Sequence, residues 1–281
     1  MPEIDLVSHE LKNIINKSEI SIQVSLDGFS FCINSDRSNN ILALRFYKFS
    51  SHISHDGLLD SVNNILRKDS LLKHDFLRSR VIITGRKCTL VPDEFFDPAS
   101  VKQVFEFNQP LDELDEINYN NIKGLNSKLI FTIPSYIAGM ITGKFPGAVF
   151  FNQATPLICQ SLDSILKEKD QVFIQINHDF FDLVITQNNQ LKLYNNYQYR
   201  SAIDLTYFLL FACRKLEIDT RNTSLSVCGR YPGAPPLPAD LIKAFSSVKS
   251  IDLPENISNN RIVQKAGVNL YTSLFYLSQC E

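Results

Sequence analysis

What this chain lacks narrows its job before any motif is read. Lys and Arg never gather into a block or stripe; the 28 basic and 30 acidic residues are scattered and leave a net charge of −2. No nucleic-acid footprint is visible, and no nucleic-acid partner is expected. The six cysteines (Cys32, Cys88, Cys159, Cys213, Cys228, Cys280) are far apart, form no CxxC, and have no His at ligand spacing. No metal site is expected, and the thiols read as buried and reduced in a cytosolic protein. The longest apolar stretches, Tyr207 to Cys213 and Leu129 to Ile141, are too short for a bilayer, and Ser135 and Gly139 interrupt the second. Met1 to Lys17 is acidic and amphipathic, without the basic start and apolar run of a signal peptide. No lipidation signal occurs. The expectation is a soluble, cytoplasmic protein with no membrane span. At 281 residues, 44% hydrophobic and 21% charged, it has room for two ordinary domains.

What is present is a repeat. Ile22 to Ile33 (IQVSLDGFSFCI) aligns without gaps on Ile174 to Ile185 (IQINHDFFDLVI), with Ile, Gln, Asp, Phe and Ile recurring in place. Both segments read as tight β-hairpins. In the first, Asp27-Gly28 is a strong turn signal, because Gly accepts positive φ at no steric cost. Each hairpin leads into a third strand (Ile41 to Phe49; Leu191 to Tyr197) and then a helix. Asp56 caps the first helix, whose apolar set Leu58, Leu59, Val62, Ile65 and Leu66 lies on one face. Ser201 and Asp204 make a capping box for the second. That helix, running to Leu216, is apolar nearly all round and is expected to be buried between layers. Strands follow at Val81 to Thr84 and Leu225 to Cys228. Elsewhere the sequence predicts a short helix within residues 1–17, an acidic loop at 111–116, a turn or strand edge at 118–121, a strand at 129–133, a helix from Ser135 to Gly143, a strand at 148–152 and a helix opened by Thr155-Pro156. A last strand at 248–253 and a closing helix within 261–278 complete the reading.

Three meandering strands followed by helix, strand and helix predict a mixed sheet covered by helices, made twice. The hairpin run Val24 to Phe31 and the run Phe173 to Tyr199 resemble a bacterial family known only as a domain of unknown function, whose members have an actin-like ATPase fold. The resemblance covers most of the chain. More distantly, the layout is similar to the cell-division and pilus-assembly members of the actin superfamily. It implies an α/β protein of duplicated actin-like (ribonuclease-H-like) domains, 1–168 and 169–281, with mixed sheets flanked by helices and a cleft between the halves.

That superfamily holds ATP with two hairpins and a glycine loop. The hairpins read Asp-x-Gly; the Asp binds the hydrated metal and the Gly lets backbone amides approach phosphate. Aligned by the turn, Ser25 stands at the Asp place and Asp27 at the Gly place of the first hairpin, with Gly28 next. Asn177 and Asp179 stand there in the second, followed by Phe180 and Phe181. Leu225 to Gly233 resembles the nucleoside-contacting strand and glycine turn, but Arg230 and Tyr231 follow Gly229 where further glycines are usual. Without the resemblance, the same stretch is an ordinary strand-to-helix turn. The degenerate nucleotide-motif positions are therefore Ser25, Asp27, Gly28, Asn177, Asp179, Gly229 and Arg230. They imply a pseudo-ATPase with no cofactor and no catalytic residue, acting through a protein partner or self-association. The alternative is an ATP-binding or slow ATP-hydrolysing member that uses ATP with magnesium.

Other constellations read as structural. Asp179, Asp182 and Asp204 suggest a nuclease-like metal cluster, but Asp182 alternates with core-facing Phe181 and Leu183 and is expected to point outward. His178 sits at a solvated turn. His52 and His55 flank a polar loop beside Asp56. Lys144 to Gly147 lacks the order of a phosphate loop and reads as a helix stop. Tyr194, Tyr197 and Tyr199 read as a sheet face or partner surface.

Overall fold

The two repeated hairpins lie in separate sheets, one in each of two compact units. The computed structural model describes residues 1–36, 40–50, 55–164, 170–188, 190–229 and 237–280. The first unit comprises residues 1–155, 254–266 and 274–281. Its elements in chain order are β1 (Ile4–Val7), α1 (Leu11–Ile14), β2 (Ser18–Ser25), β3 (Gly28–Ser35), β4 (Ile41–Lys48), α2 (His55–Lys68), β5 (Ser79–Ile83), β6 (Cys88–Pro92), α3 (Val101–Asn108), β7 (Asp115–Asn121), β8 (Ser127–Pro134), α4 (Ser135–Lys144) and β9 (Val149–Asn152). The main sheet runs β1-β4-β3-β2-β5-β9. The hairpin pairs are antiparallel, while β5 joins β2, and β9 joins β5, in parallel.

The short helix expected within residues 1–17 is present as α1, but Ile4–Val7, also assigned to it, form the strand β1. Ile4 and Leu6 are spaced for a strand as well as for a helix, and the free edge of β4 captures them, with a cross-strand pair of Asp5 and Arg45 bonded at 2.8 Å. β7 takes in the end of the acidic loop expected at 111–116 and makes 118–121 an edge strand, the second of the two readings for that stretch. β7 completes an antiparallel sheet, β6-β8-β7, over a small core of Val91, Phe105 and Ile130. Asn120 is buried in β7 and bonds Phe150 O and Thr155 Oγ1. α2 buries Leu58, Val62 and Leu66, as its periodicity predicts.

The second unit comprises residues 156–253 and 267–273. It holds most of α5 (Ala154–Ser164), then β10 (Asp170–Ile176), β11 (Phe180–Gln187), β12 (Gln190–Gln198), α6 (Ala202–Lys215), β13 (Ser224–Gly229), α7 (Ala239–Ala244) and β14 (Ser247–Ser250). Its sheet runs β12-β11-β10-β13-β14. Order and sense match β4-β3-β2-β5-β9: two antiparallel pairs, then two parallel ones.

α6 opens with the predicted capping box, Ser201 and Asp204 bonding each other's backbone amides. Its burial differs from expectation. Leu205, Leu209, Ala212 and Cys213 enter the core, but Ile203 is 79% and Tyr207 58% exposed. One face of the helix is therefore an apolar surface open to solvent.

Beyond β14 come α8 (Glu255–Ser258), α9 (Arg261–Ala266) and α10 (Thr272–Tyr276). The expected single closing helix is broken at Gly267, whose φ of +85° ends α9. α9 lies against β4 and β1, and Asn260 donates to Ile41 O at 2.9 Å. All six cysteines are free and buried. Burial pushes the Cys32 and Cys213 thiols up to about 12. Among the described residues, no helix is long and apolar enough to cross a membrane.

Candidate functional site

The two hairpin turns share one construction. In the first, Ser25 pairs with Gly28 across a two-residue tip of Leu26 and Asp27. In the second, Asn177 N donates to Phe180 O at 2.9 Å across a tip of His178 and Asp179. The third strand then grips each tip at the same atom. Phe49 N donates to Asp27 O at 2.9 Å, and Tyr199 N donates to Asp179 O at 3.0 Å. The gap-free alignment of the two segments thus has a physical counterpart in turn length and tether.

The side chains at the two strand ends are already engaged. Ser25 Oγ donates to the Asp27 carboxylate and also lies 3.0 Å from Gly28 O. Asn177 Nδ2 donates to Asp182 Oδ2 at 2.9 Å, and Tyr199 OH donates to Asn177 O at 2.9 Å. Asp27 and Asp179 are half-buried, while Leu26 and His178 are exposed at the tips. Gln198 Nε2 lies 3.4 Å from Asp179 Oδ2.

Gly28 is a glycine for packing reasons. A Cβ there would sit 2.6 Å from Tyr47 O and collide with the Phe46 ring. Gly229 has two reasons. It ends β13 with φ +85°, and a Cβ would press on the Ile176 backbone, 2.8 Å from its nitrogen. The left-handed conformation and the close approach each exclude a side chain. Arg230, Tyr231, Asn189, Ser51 and His52 lie outside the described residues.

Asp182 corrects the sequence reading. It is fully buried rather than outward-facing. Both faces of β11 are covered, so alternation puts Phe181, Leu183 and Ile185 in one core and Phe180, Asp182 and Val184 on a second buried face. On that second face a polar row crosses three strands: Asp182 pairs with Gln175, and Gln175 with Cys228. Ser273, from the C-terminal segment, donates to Gln175 Oε1 at 2.7 Å, and Tyr194 OH donates to Asp182 Oδ1 at 3.0 Å. Burial, then the nearby Asp182, pushes the Cys228 thiol up, which makes it a poor nucleophile. The row is not legible in the sequence because Gln175 and Asp182 alternate with core-facing residues, and alternation does not reveal that their own face is also covered. The recurrence of Gln at 23 and 175 was the one available signal.

The remaining candidates scatter. Asp204 caps α6, Asp179 sits at a turn and Asp182 is in the buried row. Among the described residues, no group of three His, Cys, Asp or Glu is placed to hold a metal ion. Lys144 ends α4, with Gly147 at φ +79° just beyond. Tyr194 and Tyr199 anchor the second hairpin. Tyr197 stacks on Phe181 and Phe208, each at 5.4 Å between ring centres, so the tyrosine strand is chiefly a packing face.

Residues 9–234 match the model of a family described as "Protein of unknown function (DUF3822)". Among curated proteins, none matches. Among solved structures, a Bacteroides thetaiotaomicron protein with an actin-like ATPase fold and unknown function superposes with a TM-score of 0.81. It is 24% identical, over 96% of this chain and 98% of that one. A chain of the PilM–PilN type IV pilus biogenesis complex has a TM-score of 0.62 at 10% identity, over 94% and 98% of the two chains. The ethanolamine utilization protein EutJ from Carboxydothermus hydrogenoformans has 0.51 at 7%, over 98% and 96%. The fold is therefore actin-like.

Proposed function

The chain belongs to this family of unknown function, and from that premise we propose that it is a non-catalytic actin-like protein that works by binding another protein. One observation carries the reading: neither hairpin ends its first strand in a carboxylate, and the residues that stand there are spent on the turns themselves. Ser25 is bonded to Asp27, and Asn177 to Asp182. This donor set does not fit a magnesium–triphosphate. Such a group needs carboxylate to hold the hydrated metal and small residues whose amides can meet phosphate. Here the carboxylates of Asp27 and Asp179 stand where phosphate would approach. Two like charges ~4 Å apart repel by ~4 kcal/mol at an effective dielectric of 20, about the whole ~4.1 kcal/mol of a millimolar affinity.

In this reading, residues 1–168 and 169–281 carry two copies of one actin-like domain, the C-terminal segments 254–266 and 274–281 having been recruited back to the first unit. The matching strand orders and the matching tip tethers support the duplication. Six buried free thiols support a reducing, cytoplasmic setting. The likeness to a chain of a two-protein pilus complex supports protein binding as the activity. Gly229, with its positive φ at the end of β13, favours the alternative, an ATP-binding or slowly hydrolysing protein, because it retains the glycine turn of the nucleoside loop.

Thermal melting with and without Mg-ATP separates the two. A ligand at 100 times its Kd adds ~2.7 kcal/mol, a readable rise in Tm. We expect no shift at millimolar Mg-ATP, and no saturable heat in isothermal titration. Saturable binding tighter than ~100 μM would reject the non-catalytic reading and promote the alternative.

A further inference from the structure

The two copies of the repeated sheet differ at one edge. Phe49 and Tyr199 tie their third strands to the hairpin tips at the same atom, so Ile41 to Phe49 corresponds residue by residue to Leu191 to Tyr199. Both pairings also carry a register shift at the same place, after Ile33 and after Ile185. In the first copy the outer edge of β4 is closed. β1 pairs with it antiparallel, with Glu3 N donating to Phe46 O and Ser8 N to Leu42 O, both at 2.8 Å. In the second copy, β12 is the last strand of its sheet among the described residues, and it is nine residues long. Tyr199 N turns toward Asp179, and backbone direction alternates along a strand, so every second residue of β12 back from Gln198 turns its N–H and C=O outward. These include the counterparts of Leu42 and Phe46, the positions that β1 bonds in the first copy.

A strand edge invites another strand, and what stands beside this one narrows the choice of partner. Tyr197 of β12 stacks on Phe208 of α6, Tyr207 meets Phe208 edge-on at 5.5 Å, and Phe211 stacks on Tyr207 at 5.8 Å. This aromatic row leads from the edge strand to the outer face of α6, where Ile203 and Tyr207 are exposed. A lone peptide strand would close the edge and leave the helix face bare. A partner that brings its own strand edge with an apolar helix above it covers both at once. The second unit of another copy of this chain has that arrangement by construction.

We propose that β12 pairs antiparallel with β12 of a second copy about a twofold axis at Tyr194, joining the two five-stranded sheets into one and setting the two α6 helices side by side on one face. Lys192, the one charge of the strand, then lies opposite Asn196 of the second copy rather than opposite itself, where like charges would oppose pairing. The contact is isologous and closes at two copies. A strand ~30 Å long with a helix layer above it offers a face about 20 Å high, so roughly 600 Å² per copy and ~1,200 Å² in total, the lower end of what a specific interface buries. The dimer is therefore a weak one. This inference rests on the reading of the protein as a binding protein and names the partner as a second copy of the chain.

Sedimentation velocity at rising protein concentration should show a monomer–dimer equilibrium and no larger species. Asn195 is exposed on β12, and all six native thiols are buried, so Asn195→Cys takes a nitroxide label at one place. Across the axis the two labelled positions should stand ~8 Å apart, and those of Gln190→Cys ~28 Å apart, from a rise of ~3.4 Å per residue and strands ~4.8 Å apart. Spin–spin broadening at 195 and a pulsed dipolar distance at 190 read the pairing and its register. Asn195→Lys and Asn195→Glu each place like charges together across the axis and should weaken association several-fold, and mixing the two should restore it. Tyr207→Glu should weaken it from the helix side. Far-UV circular dichroism and Tm check that each variant folds, and the label distances do not depend on the charge variants. A wild type still monomeric at ~100 μM, a dimer without broadening at 195, or charge variants that associate as wild type does would each overturn the proposal. None of those results bears on the Mg-ATP melting test, so the broader reading stands or falls separately.

Discussion

Replacing Gly229 with Ala probes the candidate site and the fold together. Two costs act at this position. An Ala at φ +85° pays ~1–2 kcal/mol for the left-handed conformation. Ala also stiffens the unfolded chain, which returns ~0.4–1 kcal/mol. Gly147 isolates these terms, because its φ is +79° and a Cβ there meets open space. Gly147→Ala should therefore cost about 1 kcal/mol or less. At Gly229 the new Cβ also runs into the Ile176 backbone, so β10 and β13 must part or shift. Overpacking of this kind adds ~1–3 kcal/mol, which brings the total to about 2–4 kcal/mol. For a chain of this size each kcal/mol moves Tm by ~2–4 °C, so Gly229→Ala should lower Tm by roughly 5–15 °C and Gly147→Ala by a few degrees at most. Calorimetry of both variants beside wild type reads the difference. If the two lose the same, the close approach of β13 to Ile176 is not a constraint, and the registration of the glycine turn on the hairpin strand is wrong.

The two faces of α6 should respond differently to truncation. Leu209→Ala, fully buried, should cost about 2–5 kcal/mol in urea unfolding, whereas Tyr207→Ala, on the open face and stacked only on Phe208 and Phe211 of its own helix, should cost about 1 kcal/mol or less. Equal losses would show that the outer face is covered in the free protein. Asp204 carries a pH dependence. Backbone bonding from Arg200 holds its carboxyl below the usual value of 3.8, with Ser201 adding to the effect. A lowered folded-state pKa contributes stability that is present above the unfolded value and lost as pH falls through the folded one. Asp204→Asn should therefore melt below wild type at neutral pH, with the gap closing as pH drops below about 4. A gap that persists unchanged at pH ~2 would mean that the carboxylate charge is not what caps the helix.

Much of the candidate site is legible in the sequence because hairpins are local. Asp27-Gly28 signals a tight turn, although the tip falls one residue earlier, at Leu26-Asp27, and the matched positions of Ser25 with Asn177 and Asp27 with Asp179 follow from counting along the repeat. What those side chains bond to is not legible. Asn177 finds its partner in Asp182 five residues on, but Tyr199, which closes over it, comes from the third strand. Asp182 itself was read outward because alternation reports only that neighbouring residues face opposite ways. It cannot say whether the second face is wet.

The sequence by itself determined the local units: both hairpins, the one-sided helix α2, the Ser201–Asp204 cap and the alternation of strand and helix that makes a mixed sheet. Turn chemistry, capping and hydrophobic period act over a few residues, so they are written where they operate. Tertiary structure decided what covers each face. It turned Ile4–Val7 into an edge strand because β4 had unpaired backbone groups to offer. It buried the Asp182–Gln175–Cys228 row and brought Ser273 to Gln175 from 98 residues downstream. It left the Ile203–Tyr207 face of a nearly all-apolar helix in solvent because the unit's core closed on the other side. Burial depends on which distant segment arrives, and periodicity carries no information about that arrival.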